Sequence, residues 1–254
     1  TTWLATQLAR DPDLWNRSWV IEQLSARRAD AEAAAALARA ATGADYPLTR
    51  AQTASALGGF PVAVALDPLA AAAADTSAAV RAAAVAALGE VGGQPALALA
   101  RERWQSDSSY AVRAAALEAV VKGDSAARRA VIAEGLGTES YRDEIRNAAL
   151  TAIYATADTT FIDRADTLMI GNDIAGYILG GLANLSPRAL DLLTRRLDDP
   201  RPSVRKRALE AFGETVDPRL VVARLQPLVA TLRYADTSTG VQRLLNRLSG
   251  QGVP

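Results

Sequence analysis

Apolar positions recur along this chain at −1, +4 and +7 around a repeated arginine, the spacing of one face of an α-helix. The sentence is clearest in "DTSAAVRAAAVAALGEV" from Asp75 and "DSSYAVRAAALEAVVKG" from Asp107. With Arg81 and Arg113 as position zero, the pattern returns at Arg17, Arg50, Arg146 and Arg205, with Ala175 filling the slot once. Successive spacings are 33, 31, 32, 33, 29 and 30 residues. Position +7 is Leu24, Leu57, Leu88, Val120, Ile153, Leu182 or Phe212, and position +4 is Ile21, Ala54, Val85, Leu117, Leu150, Leu179 or Leu209. Small residues flank that stripe at +3 and +6, among them Ala84, Ala87, Ala116, Ala119 and Gly181, and they allow a neighbouring helix to come close.

A second apolar helix is expected before each such helix, most clearly over Glu32–Ala41, Pro95–Trp104, Ala126–Leu136, Thr160–Met169 and Pro187–Leu197. Thr160 with Asp163, Ser186 before Pro187, and Asp217 before Pro218 read as helix starts. Asp67-Pro68 is expected to kink its helix or mark its true beginning. Glycines at 58–59, 92–93 and 123 fall where helices should stop. Alternating strand patterns are missing, so the expectation is an all-α chain in which pairs of about thirty residues must stack to bury their faces.

The run acid, four residues, Val-Arg, two residues, Ala, two residues, Ala-Leu resembles the HEAT-type repeat, carried here by Asp75, Val80, Arg81, Ala84, Ala87 and Leu88. That resemblance implies a right-handed α-α superhelix, a HEAT-like solenoid of about seven two-helix repeats over residues 1–216. Residues 217–254 depart from the pattern and are expected to be a capping helix pair of the same domain. The recurring acid and base, Asp75 with Arg81, Asp107 with Arg113 and Asp199 with Arg205, suit an ion-pair and capping ladder between stacked repeats. The alternative is a row of arginines reading phosphates or carboxylates.

Composition then narrows the chemistry. The 254 residues contain no His and no Cys, which removes disulfides, thiolate nucleophiles and the Ser-His-Asp and Cys-His arrangements. No catalytic residue, metal ligand or cofactor-binding residue is expected, and the chain is read as not being an enzyme. Net charge is zero, so nucleic acid is not an expected partner, and no apolar run approaches the roughly 20 residues that span a bilayer. Residues 187–254 are nonetheless basic, with 12 Arg or Lys against 7 Asp or Glu. Arg195, Arg196, Arg201, Arg205, Lys206 and Arg207 there form a candidate anion- or peptide-binding patch, or else a solvated rim. Trp3, Trp15 and Trp19 crowd the first repeat, either as the core of an end repeat or as a docking interface for another domain. "GYILGG", with Gly176 and Gly180, reads as close helix contact.

The opening "WLATQLARDPDLWNRSWVIEQLS" is similar to the entry into the C-terminal helical domain of M1-family zinc aminopeptidases. That resemblance implies a non-catalytic domain that packs on a preceding catalytic body and shapes peptide access. The family's His-Glu-x-x-His motif has no counterpart in a chain without His, so no catalytic residue is carried over. A start at Thr1 rather than Met fits a piece of a longer protein. The rival expectation is a stand-alone HEAT-repeat scaffold binding a protein or peptide, with a lyase-like or nucleic-acid-binding HEAT protein behind it.

Overall fold

In the computed structural model, which describes residues 1–253, each aligned arginine or alanine slot falls on every second helix. Sixteen α-helices follow one another among the described residues. They are α1 (Thr2–Arg10), α2 (Leu14–Ser25), α3 (Ala31–Gly43), α4 (Pro47–Leu57), α5 (Val62–Ala72), α6 (Ala78–Val91), α7 (Gly93–Ser106) and α8 (Tyr110–Gly123). Then come α9 (Arg128–Gly137), α10 (Glu144–Thr156), α11 (Ile162–Leu168), α12 (Asp173–Ala183), α13 (Pro187–Arg196), α14 (Pro202–Glu214), α15 (Pro218–Leu225) and α16 (Ala235–Gly250). The fold class is all-α, of the α-α superhelix type. The chain divides into two compact units within α10, one over Thr1–Ala149 and one from Leu150 onward.

In the first unit α2, α4, α6 and α8 lie side by side, and α1, α3, α5 and α7 form the second layer against them. The slots at −1, +4 and +7 supply the core between: Val80, Val85 and Leu88 from α6, and Val112, Leu117 and Val120 from α8, are all buried. Burial of such a branched side chain is worth about 1.5–3 kcal/mol, so the repeat pattern is the source of the stacking energy. Small residues set the distance between helices. A Cβ on Gly89 would stand 2.8 Å from the Cβ of Ala119, closer than carbon atoms tolerate, so α6 and α8 approach as they do because position 89 has none. Gly92 and Gly93, at φ 71° and 84°, occupy the left-handed region and turn the chain directly from α6 into α7.

Asp13 and Asp30 cap α2 and α3 through side-chain oxygens that accept backbone N–H groups. Pro68 neither opens α5 nor ends it: it is the seventh residue of a helix that already starts at Val62. The proline lacks the N–H that would reach the carbonyl of Val64, a residue on the exposed side where water can serve instead.

In the second unit α12, α14 and α16 pack in sequence, with α11, α13 and α15 beside them. Phe212 of α14 is among the largest fully buried side chains, and Leu179, Leu182, Val204, Ala208 and Val241 surround the same interior. Gly180 faces α14, where a Cβ would meet Ala211 at 3.1 Å. Among the described residues no helix is long and apolar enough to cross a membrane.

Candidate functional site: ladder, basic stretch and aromatic face

Three of the repeated arginines, Arg50, Arg81 and Arg205, act as two-sided connectors. Arg50 donates from Nε and Nη2 to the two carboxylate oxygens of Asp75 at 2.7 and 3.0 Å, while Nη1 donates to the carbonyls of Ala44 and Asp45 at 2.8 and 3.3 Å. Arg81 does the same one repeat later, with Asp107 at 2.8 and 2.9 Å and the carbonyls of Asp75 and Thr76 at 2.9 and 3.2 Å. Arg205 reaches the carbonyls of Asp199 and Pro200, the Asp236 carboxylate at 2.8 Å and Thr237 Oγ1 at 3.1 Å, with Tyr234 stacked 3.8 Å from the guanidinium carbon. Each arginine therefore binds its own turn through backbone and the next repeat through side chains. Asp75 and Arg81, like Asp199 and Arg205, meet through a carbonyl rather than a carboxylate. Arg113 takes the Trp104 carbonyl at 3.1 Å and lies over the Trp104 ring.

The acids have a second task. Asp75, Asp107 and Asp199 each accept the backbone N–H two residues on, at 2.8, 2.9 and 3.0 Å, which fixes the turn into the following helix. Arg50 holds the Asp75 carboxyl below the usual carboxylate range, and Arg81 does so for Asp107, against the opposing effect of burial. Asp199 is pushed lowest, first by Arg201 and then, beyond burial, by its backbone bond and Arg196.

The basic stretch is largely neutralised by this chain's own carboxylates. Arg196 forks onto Asp166 at 2.6 and 2.7 Å and also reaches Asp199. Arg201 pairs with Asp199, Arg205 with Asp236, Arg207 with Asp173, and Lys206 weakly with Glu210 at 3.6 Å. Arg195 is exposed and remains the one member of the six without an ion pair among the described residues.

The tryptophans separate sharply. Trp104 is buried, with Nε1 donating to Glu134 at 3.3 Å. Trp3 is 63% exposed on α1, and Trp15 and Trp19, one turn apart on α2, are 85% and 50% exposed. Their helix turns Val20, Ile21 and Leu24 into the core, so the indoles project from the opposite side. Tyr46 and Leu48 at the start of α4, the helix beside α2, are also exposed.

A site that the repeat alignment passes over lies in the same repeat. A cavity of about 240 Å³ is lined by Leu8, Ala40, Ala44, Arg39, Asp45 and the buried Arg17, among others. The sequence signal was the residue six before Arg50, which is Ala44 where the repeats of Arg17, Arg81, Arg113 and Arg205 have aspartate.

A family model for HEAT repeats matches residues 41–121 and again 66–154. No curated protein sequence matches the chain significantly. Among solved structures, Escherichia coli YibA is similar at 20% identity and a TM-score of 0.59, over 98% of this chain and 92% of that one. The complex of CpcE and CpcF of phycocyanin lyase from Nostoc sp. gives 19% identity and a TM-score of 0.51, over 96% and 93%. Human deoxyhypusine hydroxylase in complex with glycerol gives 22% identity and a TM-score of 0.46, over 98% and 96%. Likeness at these identities establishes fold. It also corrects one expectation: a lyase shares this helical architecture, so the lack of His and Cys excludes particular mechanisms and does not make the chain a non-enzyme. The aminopeptidase resemblance of the opening segment finds no counterpart in these matches. Residues 41–154 match the HEAT-repeat family model, and the helices on either side continue the paired architecture.

Proposed function

We propose that this chain is a stand-alone HEAT-repeat scaffold that binds a partner protein through the aromatic face of its first repeat. The observation that carries this reading is the exposure of Trp3, Trp15 and Trp19. Indoles each offer 150–250 Å² of surface in total, roughly, and are enriched at the centres of protein interfaces. Exposed by half or more on helices whose other sides are packed, they contribute little to the core and are costly to leave in water. A partner presenting an apolar helix or loop would cover them. The stacked helices of the first unit, Thr1–Ala149, would hold that face rigid. The finer alternative, a C-terminal aminopeptidase domain, would set the same rings against a catalytic body, and it has less support than the scaffold.

The test places a photo-crosslinking residue at Trp19 and compares capture in an otherwise native chain with capture after Trp3→Ala and Trp15→Ala. A single discrete adduct that is lost in the alanine variant, whose thermal stability stays within about 1 kcal/mol of the parent, is the expected result. Equal capture by both chains, or a loss of several kcal/mol in stability, overturns the proposal.

A further inference from the structure

The arginine ladder has a vacancy at its first rung. Arg50 and Arg81 each receive a two-oxygen carboxylate from the following repeat. Arg17 occupies the same position on α2 and is more than nine-tenths buried, yet it forms no ion pair among the described residues. Its Nε donates to the carbonyl of Asp11, and Tyr46 lies 5.9 Å from its guanidinium carbon. The side chain that would complete the rung belongs to position 44, which is alanine.

The backbone there is already set for an acid. Ala44 ends α3 at φ −72° and ψ 141°, and Asp107 ends α7 at φ −72° and ψ 137°. Asp107 from that conformation reaches Arg81. The same conformation with a methyl group leaves the cavity of about 240 Å³ beside Arg17, with Arg39 adding a second positive charge to its lining. A buried guanidinium without a carboxylate keeps its charge uncompensated, and its planar fork is matched best by one.

We infer that this cavity binds a carboxylate group, which takes the place of the missing ladder aspartate on Arg17. Arg113, which also lacks a carboxylate, differs in being stacked on Trp104 and only half-buried. The carboxylate can come from a small organic acid or from a peptide side chain or C-terminus, since the cavity has room for the group and a few waters at about 30 Å³ each. Asp45 is the one acid in the lining and is exposed. The inference does not depend on the aromatic face having a partner.

The full-length chain is melted in acetate, in succinate and in chloride at equal ionic strength, and titrated with a short peptide carrying a free C-terminus and with its amide. Ala44→Asp, Arg17→Gln and Asp45→Asn are run beside it. The expected result is a saturable stabilisation of the parent by carboxylates over chloride, weakened about tenfold or more in Arg17→Gln, as loss of a charge-assisted fork should do. Ala44→Asp should melt higher than the parent and lose the response, because the rung is filled from within. Binding of the free peptide above its amide assigns the source to a peptide terminus, and equal binding of acetate assigns it to small acids. Identical responses of parent, Arg17→Gln and Ala44→Asp overturn the site. So does a parent without response whose Asp45→Asn variant responds, since Asp45 then fills the rung itself.

Discussion

Arg81 and Asp107, 26 residues apart, share two parallel hydrogen bonds of 2.8 and 2.9 Å with both side chains largely withdrawn from water. Removing either partner leaves the other charged and buried. Asp107→Asn or Arg81→Gln is expected to cost about 3 kcal/mol, read as a shift in the urea midpoint. Arg81→Lys should recover little of this, because an ammonium group cannot bond both oxygens and the Asp75 carbonyl at once.

Acid sensitivity follows from the same rungs. The carboxyls of Asp75, Asp107 and Asp199 sit below their unfolded value of 3.8. A depressed folded pKa adds stability that is complete above the unfolded value and is lost as pH falls through the folded one. Stability should therefore hold down to about pH 5 and drop below pH 4, with Asp107→Asn flattening part of that slope. With no His in the chain, no histidine step should interrupt the range from pH 5 to 8. Urea midpoints at a series of pH values test both statements.

Three of the four tryptophans should be open to acrylamide, and Trp104 should resist it. Trp104→Phe should remove the protected fraction of the emission. The same change costs the bond to Glu134 and weakens the stacking under Arg113, so a loss of about 1–3 kcal/mol is expected with it.

Gly89→Leu should destabilise the first unit by about 1–3 kcal/mol through overpacking against α8. Ala119→Gly should relieve part of this, giving a favourable coupling in a double-mutant cycle.

The periodicity made the fold legible, since Leu24, Leu57, Leu88 and Val120 recur at one phase and each proves buried. Which acid meets which arginine was not legible. Asp75 precedes Arg81 by six residues, and local spacing suggests that they pair. The fork of Arg81 points instead across the stack, a direction set by how neighbouring helices pack rather than by anything within one repeat. The tryptophans had the same ambiguity, because a ring at helical spacing suits core and surface equally until the opposite face is seen to be full. Pro68 lies inside α5 rather than at its start, which a missing N–H permits where the orphaned carbonyl, that of Val64, is on the wet side.

Two of the ladder acids lie six positions before the arginine that grips their turn, Asp75 before Arg81 and Asp199 before Arg205. One extra residue in that interval would rotate the arginine by about 100° around its helix and part it from both repeats. Length variation is thus costly in these turns, and adding or removing a whole helix pair leaves the register of each turn intact.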